Sequence, residues 1–172
     1  MLELEPEWPA ALDGNRWFLI AQGDLAVVRG RLPDAGRDFV QAKGLAERLI
    51  GLEPDNRDWQ RNIGLCLERI GDTKAAQGDL AGALADYGQS LATAERLAAA
   101  DPSNADWQRD LAVSHYKLGG IADRQGREDL LRQHWGEMLA IFAAMQQRGL
   151  HVSPEDLAGL EAIRARVQGA AR

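Results

Sequence analysis

The feature that most constrains this chain is that it repeats itself. Shifting the 172-residue sequence by 48 positions aligns residues 30–62 with 78–110, and 15 of the 33 aligned positions are identical. The matches include Gly30/Gly78, Leu32/Leu80, Ala35/Ala83, Ala46-Glu47-Arg48-Leu49 with Ala94-Glu95-Arg96-Leu97, and the pair DWQRN (58–62) and DWQRD (106–110). A weaker third copy continues through Gly71/Gly119, Gly78/Gly126 and the aromatic series Phe39, Tyr87, Trp135. A period of this length points to a stack of supersecondary units, each burying its apolar side against the next. Leu4-Glu5-Pro6 also sits 48 residues before Leu52-Glu53-Pro54, so the chain begins where a preceding unit would end.

A second register competes. AQGDLA occurs at 21–26 and at 76–81, a spacing of 55. That alignment places Pro33 inside a helix, where it costs about 3 kcal/mol. The 48-residue register places it at a helix start, where it is tolerated, and is preferred.

Each unit reads as two helices. Ala (28) and Leu (23) far outnumber Val, Ile and Thr (6, 7 and 2), a balance that favours helix and leaves few strand-forming residues. In residues 55–102, Asp55 is the expected N-cap, and Trp59, Ile63, Cys66/Leu67 and Ile70 form an apolar stripe. Gly78 ends this helix. A second runs from about Leu80, through Leu84, Tyr87, Leu91 and Leu97, and stops before Asp101-Pro102. In residues 103–150, Ser103 is the expected cap, and Trp107, Leu111, Leu118 and Ile121 precede the turn at Gly126. Leu131, Trp135, Met138, Phe142 and Met145 follow, up to Gly149. Residues 9–54 make the first unit, with Trp17, Leu19 and Val27 on its first helix and Phe39, Leu45 and Leu49 on its second. Ser153-Pro154-Glu155-Asp156 then starts a seventh helix, over 153–169. Its Leu157, Leu160, Ile163 and Val167 face the stack, while Glu161, Arg164, Arg166 and Gln168 face water. The expected fold is an all-α solenoid of three antiparallel helix pairs with a capping helix, in one domain over 1–172.

The string Gly78-Asp79-Leu80-x-x-Ala83-Leu84-x-x-Tyr87, with Gly71 seven residues upstream of Gly78, resembles the tetratricopeptide repeat. Gly23, Gly30, Ala35 and Phe39 repeat the pattern, as do Gly119, Gly126 and Trp135. The family period is about 34 residues, so these units carry longer helices, similar to those of kinesin light chains. Leu131 stands where the family has a small residue, so a distortion is expected in the third unit.

The resemblance implies a non-catalytic scaffold whose first helices line a concave groove for a peptide or partner segment. Position by position, the implied contacts are Trp17, Ile20 and Asp24, then Glu68, Arg69, Asp72 and Ala75, then Val113, Tyr116, Lys117, Gly120, Asp123 and Arg124. Glu68 stands where some members place a carboxylate-binding cation, which disfavours a C-terminal-tail ligand and favours a basic or apolar one. Two alternatives stay open: self-association through the apolar face of the first unit, and service as an adaptor segment of a larger multidomain protein. The segment MLELEPEW is too short to cap that face.

Other chemistry finds little support. Cys66 is the single cysteine and lies on an apolar stripe, so no internal disulfide or cysteine-based zinc site is expected. His115, His134 and His151 have no partner at the i+3 or i+4 spacing of a helical metal site. No phosphate-binding glycine loop occurs, and no catalytic residue, metal or cofactor is expected. Net charge is −6 with no basic cluster, which argues against nucleic acid. No apolar stretch reaches the roughly 20 residues of a membrane span, and the acidic first residues lack the pattern of a secretion signal. The expected location is cytoplasmic. Trp59 and Trp107 read as core, with Gln60-Arg61 and Gln108-Arg109 joining neighbouring units.

Overall fold

A computed structural model describes residues 8–169. Residues 1–7, including the Leu4-Glu5-Pro6 echo and most of MLELEPEW, lie outside the described residues. The fold is all-α, and among the described residues there is no strand. The helices are α1 (Pro9–Val28), α2 (Leu32–Leu52), α3 (Arg57–Ala76), α4 (Leu80–Ala100), α5 (Ala105–Arg124), α6 (Glu128–Gln147), α7 (Pro154–Leu157) and α8 (Leu160–Gly169).

The helix boundaries carry the 48-residue period. α2, α4 and α6 begin at 32, 80 and 128; α1, α3 and α5 end at 28, 76 and 124. Each tight turn is made the same way. Gly30, Gly78 and Gly126 have φ of 71°, 87° and 67°, a left-handed conformation that a side chain would strain. The next backbone N–H reaches back to a carbonyl in the preceding helix: Arg31 to Ala26 (2.8 Å), Asp79 to Lys74 (2.9 Å) and Arg127 to Ala122 (2.9 Å). This closes the helix end and satisfies otherwise orphaned carbonyls. Pro33 sits in the first turn of α2, which settles the choice of register.

The N-caps differ from expectation by one residue. Asn56, not Asp55, accepts from the Asp58 N–H at 3.0 Å, and Asn104, not Ser103, accepts from the Trp107 N–H at 3.1 Å. The turns after Asp101 and Glu53 explain the shift. The Asn56 and Asn104 N–H groups bond the Glu53 and Asp101 carbonyls (3.1 and 3.2 Å), so each Asn is the residue that enters its helix. Ser103 instead bonds the Asp101 side chain at 2.6 Å.

Within the described residues the chain divides into two compact units, the first ending at Ser90 and the second beginning at Leu91. In the first, α1 packs on α2 and α2 on α3. The inward stripe of α1 is Leu12, Arg16, Ile20, Gly23 and Ala26. Trp17, Leu19 and Val27 lie on α1 as expected, but Trp17 and Val27 are exposed and Leu19 is half-buried, so the inward stripe runs through other positions. The correct phase includes a charged residue, Arg16, which hides it from a hydrophobicity reading; its charge is met by Asp13 at 2.6 Å. Phe39 packs on Gly23 and Tyr87 on Gly71 so closely that an added Cβ would stand 2.5 Å from either ring. Cys66 is fully buried against Ile20 and Ala42, and burial pushes its thiol pKa up to about 11, the state of an inert core thiol.

In the second unit α5 packs on α6, and α6 on α8. Trp135 repeats the contact on Gly119, where an added Cβ would meet the indole at 2.2 Å. Leu131 causes no distortion. It is fully buried beside Ala122 and Trp135, and α6 keeps its boundaries. Ile163 and Val167 pack against the same cluster, so the larger side chain is absorbed by the cap. Trp107 is buried as expected, but Trp59 is only half-buried and donates its indole N–H to Glu53 (2.8 Å). Gln60 bonds the Pro54 carbonyl, Gln108 the Ala98 carbonyl of the preceding helix, and Arg109 the cap.

The capping segment is not one helix. Ser153 caps α7 by accepting from the Asp156 N–H (3.1 Å), but the chain breaks at Ala158-Gly159 and resumes as α8. The two pieces have separate attachments. Asp156 takes a bidentate bond from Arg109 (2.7 and 2.8 Å), while Leu160 is buried with Ala112, Met138, Phe142 and Met145. Leu157 is left exposed.

Two adjacent glycines test the packing. Gly119 has no room for a methyl group, whereas nothing lies within 4 Å of a Cβ at Gly120. Gly119→Ala is expected to destabilise by about 1–3 kcal/mol through overpacking. Gly120→Ala is expected to stabilise by up to about 1 kcal/mol through helix propensity. Urea midpoints of the two variants, measured against the parent, check both signs.

Candidate functional site

The residues nominated from sequence fall into two separate groups, one in each unit. In the first unit, Trp17 is 59% exposed, with the Arg16 guanidinium 4.8 Å above its ring. Ile20, by contrast, is only 7% exposed and belongs to the core with Ala42 and Cys66. It therefore offers little contact surface, because it lies on the inward stripe of α1. Asp24 and Arg69 form an ion pair with each other, and the Arg69 guanidinium also lies 5.7 Å from the Phe39 ring centre. Asp72 accepts from the Tyr87 hydroxyl at 2.6 Å. Glu68 is 8% exposed and accepts from Ser90 at 3.2 Å. Ala75 is buried. Asp24, Arg69, Asp72, Val27 and Phe39 line a small cleft of about 130 Å³. A broader depression of about 840 Å³ lies between α2 and α3 around Pro33, Val40 and Thr73, and none of the nominated residues lines it.

The acidic residues expected to attract a cationic ligand are thus already engaged within the fold. The same holds for Asp123 in the second unit, which accepts from Arg166 at 2.7 and 3.1 Å. Arg166 also bonds Glu128 at 2.7 and 2.9 Å. The bond from Arg166 holds the Glu128 carboxyl below the usual carboxylate range. Arg166 was expected on a wet face; instead it ties α8 to the α5–α6 turn.

The second unit holds a pocket of its own. It has a volume of about 230 Å³ and is lined by Val113 and Tyr116 from α5, Met138 and Phe142 from α6, and Glu155, Asp156, Gly159, Leu160 and Ile163 from the cap. Tyr116 is 48% exposed. Its ring stacks on Trp135 (centres 6.4 Å apart, planes at 16°), and the Trp135 indole N–H donates to the Tyr116 carbonyl at 2.9 Å. The contact that seats Trp135 on Gly119 therefore also positions Tyr116. Asp156 forms one wall because Arg109 and Ser153 hold it; burial raises its pKa, and these bonds outweigh that and lower it. Of the nominated residues, Val113 and Tyr116 meet in this pocket. Lys117, Gly120 and Arg124 share α5 with them but do not line it. Sequence reasoning placed Met138, Phe142, Leu160 and Ile163 only in the core. The cap-start motif at 153–156 was the available signal, since a cap that packs beside the last helix pair also walls its opening.

The structure also joins two histidines that sequence spacing kept apart. His115 on α5 and His134 on α6 face each other, Nδ1 to Nδ1, at 3.1 Å, with ring centres 5.4 Å apart. They come from different helices, so an i+3 or i+4 search does not find them. Burial lowers both pKa values from 6.5; the neighbouring imidazole lowers that of His134 further, against the opposing influence of Glu137 on both and Glu95 on His115. Among the described residues, no three His, Cys, Asp or Glu side chains gather to hold a metal.

A pH dependence follows. The unfolded histidines take up protons at about 6.5, while the folded pair resists protonation to lower pH. The folded state then binds fewer protons, so stability is fully present above about pH 6.5 and falls as the pH drops through the depressed values. Urea midpoints at pH 7.5 and 5.5 are expected to differ more for the parent protein than for His134→Gln.

The chain matches the tetratricopeptide repeat over residues 20–76 and again over 75–123. No curated protein sequence matches it. Among solved structures, it is similar to the crystal structure of BtubC (BKLC) from P. vanneervenii, with a TM-score of 0.70 and 19% identity. The alignment covers 98% of this chain and 60% of that one, so the chain spans about three fifths of its neighbour's length. At this identity the likeness shows the fold alone: an α-solenoid of helix pairs. With the Gly–aromatic contact made three times at one spacing and the repeat matched over two stretches, the chain belongs to the tetratricopeptide repeat family.

Proposed function

We propose that this protein is a non-catalytic scaffold that binds a segment of a partner protein. Tetratricopeptide repeats in general mediate protein–protein interaction. In this reading the pocket of the second unit receives an anchoring side chain of the segment. The observation that carries it is the pocket's construction: an apolar floor of Val113, Met138, Phe142, Leu160 and Ile163, an exposed Tyr116 at its mouth, and Glu155 at its rim. Its volume of about 230 Å³ is below the roughly 300–1,000 Å³ of pockets that enclose small molecules; it suits one apolar side chain. Tyr is a frequent anchor in interfaces because it offers a large rigid area at little entropic cost. The acidic rim and net charge of −6 favour a segment with Lys or Arg beside the anchor. Lys117 and Arg124, which share α5 with Val113 and Tyr116, are flanking contacts in the same proposal. A cytoplasmic location and a place within a larger assembly fit this reading. Among the described residues no helix is long and apolar enough to cross a membrane.

A second reading is self-association through α1, favoured by the exposure of Trp17, Phe18, Leu25 and Val28 on one helix.

Peptides selected from a displayed random library against the full chain test the first reading. Enriched peptides are expected to pair an apolar anchor with basic neighbours, and Tyr116→Ala is expected to weaken their binding about tenfold or more. An unchanged affinity in a folded Tyr116→Ala protein removes the pocket from the proposal. For the second reading, light scattering across a concentration series is expected to show an oligomer that Trp17→Glu with Phe18→Glu dissolves. A parent protein that stays monomeric at high concentration rejects it.

A further inference from the structure

The His115–His134 pair lies outside the pocket and has no part in the proposed docking. We infer that it is a chelating site for a borderline divalent transition-metal ion such as Ni²⁺ or Zn²⁺, bridging α5 and α6. Three observations carry this. The two Nδ1 atoms are 3.1 Å apart. With metal–nitrogen bonds of about 2.0–2.1 Å, that separation corresponds to an N–metal–N angle of about 100°. The value lies between those of square-planar or octahedral sites and of a tetrahedral one, the geometries that Ni²⁺ and Zn²⁺ adopt. Second, the pair is partly exposed, so an ion can enter and keep water in its remaining positions. Third, carboxylates act on the rings, although burial outweighs their influence on the ring charge. The carboxylates acting on the rings are Glu95 from α4 and Glu137 from α6, one helical turn beyond His134. The buried Cys66 thiol, its pKa raised to about 11, lies in the first unit's core with Ile20 and Ala42 and offers no rival ligand.

Only two protein nitrogens hold the ion directly, so micromolar rather than tighter affinity is expected. Each ligand comes from a different helix, so the bound ion cross-links the third helix pair and binds the folded chain in preference to the unfolded one.

The test uses the full, tag-free chain, stripped with EDTA, at pH 7.5, titrated with NiCl₂ or ZnCl₂ alone. Calorimetry is expected to show one ion per chain. The melting temperature is expected to rise by roughly 5 °C at a hundredfold excess over Kd. His115→Gln and His134→Gln are each expected to abolish binding, whereas His151→Gln, at an exposed position, leaves it intact. Should either variant fail to fold, Ni²⁺ broadening of the imidazole NMR signals in the parent protein decides the matter: selective broadening of His115 and His134 supports the site. Absence of binding, uptake of several ions, or binding that survives both substitutions overturns it and leaves the pair as a hydrogen bond between helices.

Discussion

The structure depends on one contact, made three times: an aromatic ring on the second helix of a pair packed directly against a glycine on the first. Phe39 on Gly23, Tyr87 on Gly71 and Trp135 on Gly119 leave no space for even a methyl group. The contact sets how closely the two helices approach, and hence which residues face inward. The positive-φ glycine at each turn then fixes where the second helix starts. Together they lock the 48-residue period into the boundaries of six helices.

The same contact reaches the candidate site. Because Trp135 is held on Gly119, its indole is presented to Tyr116, which it stacks against and bonds through the backbone. The cap completes the pocket. Its two pieces are anchored independently, α7 by Arg109–Asp156 and α8 by Leu160 and by Arg166 with Asp123 and Glu128. The opening is thus bounded on three sides by groups whose positions are set by buried packing or bidentate bonds, a preorganised surface that loses little entropy when a ligand binds.

Electrostatics play a mainly internal part. Glu68, Asp72 and Asp123 have the sign expected of a cation-attracting groove, but their bonds to Ser90, Tyr87 and Arg166 are structural. A charged residue at a family contact position is available to a ligand only when the fold leaves it unbonded. Its bonding is decided by residues 15 to 43 positions away in sequence.

By itself the sequence determined the repeat, its register, the helix pairs, the turn glycines and the fold class, because each rests on local chemistry that recurs at a fixed interval. Phe39, Tyr87 and Trp135 were recognisable as a series for that reason. Tertiary structure decided the rest. It chose the inward face of α1, since the buried Arg16 breaks the apolar pattern there; it split the cap at Ala158-Gly159. It also joined His115 to His134 and Tyr116 to the pocket floor. These depend on which side chains meet across helices, and spacing along a single chain carries no record of that.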